Sequence, residues 1–220
     1  MLIRILLILG IVTLTPAISQ VKMLFLGDSL TAGYQLDPKL AFPNQLQEKM
    51  GTNMLTAINQ GISGDTSHTL LHRLDFTLQH VTPNMVFLCI GANDGLRGMP
   101  LQQTEKNITT IVKKIKSKKI PLIMAGMSLP DNYSDRYIQD FEIMYERIAS
   151  ENGIQLMPFL LKDVAGKPEY NLNDGIHPNA AGHKIIAENI YDFLLRKPTI
   201  QLPKQPTMNL SPSLLDQDSL

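Results

Sequence analysis

Short, near-continuous apolar runs alternate along this chain with segments whose apolar residues recur at helical spacing. Residues 21–26, 54–59, 84–90, 121–126 and 154–157 are the strand candidates. Unbroken apolar runs of this length suit strands covered on both faces. Between them, residues 43–50, 67–80, 101–118 and 135–152 read as helices, and 179–195 as the last. In the third of these, Ile108, Ile111, Val112 and Ile115 form an apolar stripe. Lys113, Lys114, Lys116, Lys118 and Lys119 fall largely elsewhere, as a solvated face and a partner for the helix C-terminus. Regular β-α alternation predicts a parallel sheet with right-handed crossovers and helices on both faces.

In such a sheet, ligands bind beyond the carboxyl ends of the strands. Ser29 follows the first strand, and Gly61-Ile62-Ser63-Gly64-Asp65 the second. Gly91-Ala92-Asn93-Asp94-Gly95 follows the third, and Met127-Ser128-Leu129-Pro130 the fourth. These Gly-rich and polar loops should share one edge, and that edge should carry the site.

Composition narrows the function. With 220 residues, 44% hydrophobic and 18% charged, the chain is ordinary globular material for one sizeable core. Twenty basic and 20 acidic side chains cancel, aromatics are 6% and Trp is absent. Nothing there attracts or stacks nucleic acid. The single cysteine, Cys89, cannot form an internal disulfide and lies in an apolar run, as an inert core thiol would.

The two ends differ from the middle. Arg4, the apolar run 5–14 and the small residues around Ala17 and Ser19 read as a signal peptide (1–19). Cleavage after Ala17 or Ser19 would export the protein to the periplasm or beyond. The run falls short of the ~20 apolar residues a membrane span needs. Residues 197–220 carry Pro198, Pro203, Pro206 and Pro212 without periodicity and read as a flexible tail. The expected folded domain is therefore 20–196.

The candidate chemistry lies in four blocks. Gly27-Asp28-Ser29-Leu30 directly follows the first apolar run, and Asp174-Gly175-Ile176-His177-Pro178 lies near the far end. A serine hydroxyl attacks well only when a base takes its proton, and histidine suits that task. An aspartate three residues before the histidine, around a turn, can hold one ring nitrogen and leave the other for Ser29. The negative tetrahedral intermediate needs aimed donors. The candidates are the Ser29 N–H, the Gly64 N–H and the Asn93 side-chain amide. Taken singly, each block is also a good turn or cap. Taken together and in order, they supply every role that acyl transfer needs.

These blocks resemble the SGNH hydrolase superfamily, the GDSL esterases and lipases, named for its Ser, Gly, Asn and His. Here those residues are Ser29, Gly64, Asn93 and His177, with Asp174 beside the last. The resemblance runs from about Val21 to Leu195. Residues 59–67, 93–98 and 129–133 are similar to the bacterial multifunctional thioesterase I / lysophospholipase / arylesterase group. The resemblance implies a flavodoxin-like three-layer α/β/α sandwich with a five-stranded parallel sheet. It implies Ser29, Asp174 and His177 as a triad, with no metal and no cofactor. The substrate would be a small-molecule acyl ester or thioester, and a lysophospholipid substrate would bring the protein to membrane lipids. Leu96, Met99, Leu129, Pro130 and Tyr133 are expected to border the acyl pocket.

Two rivals remain at this level. One is a carbohydrate O-acetylesterase on the same fold. The other is a non-enzymatic flavodoxin-like binding module whose Ser29-to-Gly33 turn holds phosphate. His68 and His72 have a metal-compatible spacing but no evident third ligand. Asn107, Asn132 and Asn209 head glycosylation sequons that matter only in a host that glycosylates exported proteins. Oligomeric state has no signature in the sequence.

Overall fold

The computed structural model of the protein describes residues 20–196. The predicted signal peptide and tail lie outside the described residues. The described residues form five strands: β1 (Val21–Gly27), β2 (Leu55–Gly61), β3 (Met85–Cys89), β4 (Leu122–Ala125) and β5 (Gln155–Met157). They form one parallel sheet in the order β2-β1-β3-β4-β5. The helices are α1 (Ser29–Ala32), α2 (Phe42–Met50), α3 (Ser67–His80), α4 (Ala92–Leu96), α5 (Leu101–Ser117), α6 (Asp135–Asn152) and α7 (Ala180–Arg196).

The strand order reverses once. The chain steps from β1 to β2 on one side, then crosses back to β3 on the other. Right-handed crossovers therefore place α2 on one face and α3, α5 and α6 on the opposite face. In agreement, α5 packs against both α3 and α6, while α7 returns to pack on α2. The result is the three-layer α/β/α sandwich that the alternation predicts.

Local chemistry sets the element ends. A reciprocal capping box between Thr66 and Thr69 starts α3. Ser134 accepts from the Tyr137 N–H to start α6, and left-handed Gly153 ends it. Asn179 lies before α7 rather than inside it, and its Oδ1 accepts from the N–H groups of Ala181 and Gly182. The helix expected to start at Ser29 is present as the short α1, while α4 stands where the sequence pattern indicates only a polar loop, since five residues are too few to display a period. β2 departs from expectation as well. Only Leu55 is buried in it, and Thr56 to Gly61 are half-buried. It is an edge strand with one neighbour, so its faces are less covered than those of β1 and β3.

Aromatic packing joins the α2 layer to the sheet. Phe25 of β1 meets Phe42 of α2 edge-on at 5.8 Å and Phe87 of β3 at 5.6 Å between ring centroids. On the opposite layer the buried Tyr145 of α6 donates its hydroxyl to the Ile90 carbonyl at 2.9 Å. A buried hydroxyl is thereby satisfied, and α6 is tied to the end of β3.

One polar side chain sits deep between α2 and α7. His183, 1% exposed, accepts the Phe42 N–H on Nδ1 at 3.1 Å and stacks on the Phe42 ring. That N–H belongs to the first turn of α2, whose cap residue Ala41 offers no side-chain acceptor. Burial, and secondarily the charge of His177, hold the His183 pKa down from 6.5 to about 4. The unfolded chain thus binds a proton between these values that the folded protein refuses. The stabilisation is complete above the unfolded value and is lost as pH falls toward 4. In urea unfolding, the loss of stability from pH 7 to pH 5 should exceed that of His183→Asn by about 2 kcal/mol. Asn keeps an acceptor but cannot titrate, so equal losses in the two proteins would remove His183 from this role.

Candidate active site

Ser29 opens α1 directly beyond β1. A Cβ on Gly27 would run into the Thr31 side chain and the Cys89 carbonyl, so the turn closes this tightly only around glycine. Asp28 Oδ1 accepts the Leu30 N–H at 3.0 Å and caps the short helix.

His177 arrives on a loop pinned at both ends. Asn171 and Pro178 form an antiparallel bridge. The Leu172 N–H donates to the His177 carbonyl at 2.7 Å, and the Asn179 N–H to the Tyr170 carbonyl at 2.9 Å. The buried Asn171 amide donates to the carbonyls of Val164 and Lys167, both at 2.8 Å. Inside the loop, Asp174 Oδ1 accepts from the N–H groups of Ile176 and His177, both at 2.9 Å. Asp174 Oδ2 lies 2.7 Å from His177 Nδ1, and His177 Nε2 lies 2.9 Å from Ser29 Oγ. Serine, imidazole and carboxylate are thus in line. Partial burial alone would raise the Asp174 pKa, but the two backbone N–H groups and the His177 ring hold it down to about 2. The carboxylate stays charged through the neutral range. Such a line can move the Ser29 proton onto the imidazole while the carboxylate opposes the charge that forms.

The expected oxyanion donors sit on neighbouring loops. Gly64 adopts φ +87°, which favours glycine whatever the space around it. Asn93, at the start of α4, donates one amide hydrogen to the Asp65 carbonyl at 2.9 Å. Its second amide hydrogen is left to meet a ligand.

A buried polar network links these loops. Asp94, 1% exposed, accepts from the Ser67 N–H at 2.8 Å, from the Ser67 hydroxyl at 2.6 Å and from the Thr104 hydroxyl at 3.4 Å. Asn107 donates to the Ser67 hydroxyl at 3.0 Å. Arg73 pairs with Asp65 at 2.7 Å and donates to the carbonyls of Gln60 and Gly27 at 2.8 and 3.2 Å.

A cavity of about 880 Å³ opens between Ser29 and His177 and the loops after β4 and β5. Leu96, Leu129 and Pro130 line it, as do Met127, Leu156 and Phe159, which sequence reasoning did not select. The rule that sites lie beyond the carboxyl ends of strands, extended to β5, would have found Phe159. Met99 and Tyr133, expected at the pocket, are not in its wall. The Tyr133 hydroxyl turns to the Leu96 carbonyl at 2.6 Å, and the Met99 carbonyl accepts from Tyr137 at 3.0 Å. Tyr133 thereby braces Leu96, a wall residue, from outside the cavity. Asp28 also borders the cavity, though it is itself fully buried, and its Oδ2 has no hydrogen-bond partner. Burial, with the charges of Asp65 and Asp94, pushes its carboxyl up to about 7. The rings of His68 and His72 approach to 4.4 Å on the exposed side of α3. Among the described residues no group of three or more His, Cys, Asp or Glu could hold a metal ion. Cys89 is buried, and burial pushes its thiol well up.

A five-stranded parallel sheet flanked by helices, with serine, histidine and aspartate in line beyond its carboxyl edge, is the architecture of the SGNH hydrolases. Residues 25–185 match the GDSL-like Lipase/Acylhydrolase family. The chain is 38% identical over 178 residues to an arylesterase of Vibrio mimicus, covering 80% of this chain and 88% of that protein. It is also 38% identical over 166 residues to the thioesterase 1/protease 1/lysophospholipase L1 of Escherichia coli K12, covering 76% and 79%. Among solved structures, the psychrotrophic esterase EstA of a Pseudoalteromonas species, inhibited by monoethylphosphonate, superposes with a TM-score of 0.77 at 34% identity. That match covers 80% of this chain and 98% of EstA. The chain belongs to the GDSL-like Lipase/Acylhydrolase family and is a carboxylic ester hydrolase.

Replacing Asp94 by Ala would strand the donors of Ser67 and Thr104 in a buried site. A stability loss of roughly 2–4 kcal/mol in urea unfolding is expected, with Asp94→Asn losing less. A loss below about 0.5 kcal/mol, the ordinary surface range, would show that the network does not hold the loops.

Proposed function

We propose that the protein is an exported serine esterase and thioesterase acting through an acyl-enzyme. The reading rests on one observation, the unbroken line from Ser29 Oγ through the His177 ring to the Asp174 carboxylate at 2.9 and 2.7 Å. Ser29 Oγ attacks the acyl carbonyl while its proton passes to His177 Nε2. Asp174 accepts from Nδ1 and stabilises the imidazolium. The Ser29 and Gly64 N–H groups and the free hydrogen of the Asn93 amide receive the oxyanion. His177 then returns the proton to the leaving alcohol or thiol. A water molecule, deprotonated by His177, releases the acid and restores Ser29. The inhibition of EstA by a phosphonate, whose tetrahedral phosphorus mimics such an intermediate, suits this reading.

The activities named for the relatives suggest aryl esters, acyl thioesters and lysophospholipids as substrates here. The apolar wall built from Leu96, Leu129 and Phe159 suits a fatty or aromatic acyl group. The apolar residues Met127, Leu129, Leu156 and Phe159 in the wall favour a longer acyl group over acetyl, and so favour this reading over the O-acetylesterase rival. Export rests on the leader sequence alone: Arg4, the apolar run 5–14 and the small residues before position 20.

Hydrolysis of p-nitrophenyl esters from acetyl to dodecanoyl, by wild type and Ser29→Ala in parallel, tests the reading. Activity peaking on medium or long chains and lost in Ser29→Ala is expected. Activity confined to acetyl would replace it with the O-acetylesterase reading. A folded wild type without turnover would replace it with the binding module. Asn93→Ala should lower kcat by roughly 10²–10³-fold if its amide is an oxyanion donor. An unchanged kcat in a folded Asn93→Ala protein would remove that assignment.

A further inference from the structure

The His177 ring is held along its two nitrogen-bearing edges by Asp174 and Ser29, and a third contact falls on its face. The Tyr34 ring packs there with centroids 4.4 Å apart and planes inclined at 35°. Neither its role nor its position follows from any motif.

We propose that Tyr34 is a positioning residue for His177: its ring fixes the imidazole plane between Asp174 and Ser29 and stabilises the imidazolium that forms when Ser29 attacks. The proposal rests on the serine-esterase reading given above.

The backbone places Tyr34 for this contact from the nucleophile itself. The N–H groups of Gly33 and Tyr34 both donate to the Ser29 carbonyl at 3.1 Å. Gly33 (φ +78°) is left-handed and ends α1. Gln35, immediately after the ring, is also left-handed at φ 60°, a conformation uncommon outside glycine. Two left-handed residues thus flank Tyr34 and turn the chain sharply around it. The contact closes a circuit: the Ser29 carbonyl holds Tyr34, Tyr34 packs on His177, and His177 reaches Ser29 Oγ.

The electrostatics favour the charged imidazole. An aromatic face attracts a cation, and the attraction grows as water is excluded. The His177 side chain is 21% exposed and Tyr34 is 36% exposed, so the contact is partly shielded. Asp174 on the same loop, Tyr34 after α1 and His183 in α7 are the titratable groups around the imidazole. His183 is uncharged above its depressed pKa. The Asp174 carboxylate and the Tyr34 face thus both lie against the ring on which positive charge forms during turnover. Because the free base and the imidazolium both occur in each turnover, the ring acts on the transition state through His177 and without touching substrate.

The test compares Tyr34→Phe, Tyr34→Leu and Tyr34→Ala with wild type and Ser29→Ala on a p-nitrophenyl ester. Circular dichroism and Tm establish folding. Tyr34→Ala should lower kcat/KM roughly 3–10-fold, the span a partly exposed ring–cation contact supports, with the change in kcat. Its acid limb should move down by about half a pH unit, because the imidazolium has lost a stabilising neighbour. Tyr34→Phe keeps the face and should stay within about twofold of wild type, the weak end of such a contact. Tyr34→Leu restores bulk without the π face and should keep the lowered acid limb. Three results overturn the proposal: unchanged kcat and acid limb in Tyr34→Ala, an effect on KM alone, or Tyr34→Phe as impaired as Tyr34→Ala. The parallel Ser29→Ala arm separates the two readings. Wild-type activity that survives in Ser29→Ala sinks the serine-esterase reading, and this one with it. Activity that Ser29→Ala abolishes and Tyr34→Ala leaves intact sinks only the role of Tyr34.

Discussion

Gly27 of β1 pairs with Gly61 of β2 on one side and with Cys89 of β3 on the other. The carboxyl ends of the three strands therefore stand level, and the loops beyond them rise from one line across the sheet. Ser29 lies two residues past the first end, Gly64 three past the second and Asn93 four past the third. A strand register that slipped by one residue would turn each strand's side chains to the opposite face and offset the loops by about 3.3 Å. The positions of Ser29, Gly64 and Asn93, the proposed nucleophile and oxyanion donors, depend on this register. Apolar packing on both faces of β1 fixes it, through Phe25 and its neighbours Phe42 and Phe87 on the α2 side.

Level strand ends place the loops but do not make them rigid. That task falls to buried polar groups whose partners come from different loops. Asp94 binds Ser67 at the start of α3, Asn93 binds the Asp65 carbonyl, and Arg73 spans Asp65, Gln60 and Gly27. The ends of β1, β2 and β3 are thereby joined. The arrangement has an electrostatic consequence at Asp28. Its carboxyl is fully buried beside two further acids, and one of its oxygens has no partner. The charged form is disfavoured directly beside Ser29, where a second negative charge would oppose the oxyanion of the proposed mechanism.

Much of this was legible from periodicity and loop chemistry. The limits of α3 and α6 follow from the residues that cap them, and all five strands occur where apolar runs stand. The level loops follow from β-α alternation alone, and the candidate groups Ser29, Asp174 and His177 follow from chemical type and spacing. What escaped depends on the third dimension. The half-burial of β2 follows from its place at the sheet edge, which an apolar run does not encode. His183 looks like any histidine on a helix until α2 packs over it. Met99 and Tyr133 lie in the right loops yet outside the cavity wall, and the Tyr133 hydroxyl turns to the Leu96 carbonyl. Tyr34 follows a four-residue helix too short to have a face, so nothing in the sequence aims its ring at a residue 143 positions on (177 − 34).

The two halves of the site are supported differently. The Ser29 half grows from the sheet and rests on buried partners, so its geometry is coupled to global stability. The Asp174–His177 half is a partly exposed loop, set by the Asn171–Pro178 bridge, the Asn171 amide and turns around Asp174. Loops of this kind open at lower free energy than the core. The Ser29 hydroxyl meets the other half at 2.9 Å on His177, a contact that in the proposed mechanism must loosen whenever Ser29 carries an acyl group. At that stage the imidazole needs a hold that does not pass through the Ser29 hydroxyl. The Asp174 carboxylate supplies it along one edge, and the Tyr34 ring, hung from the Ser29 main chain, lies against the face. The main-chain carbonyl of Ser29 is not consumed by acylation of its Oγ, so this second hold persists while the first is absent.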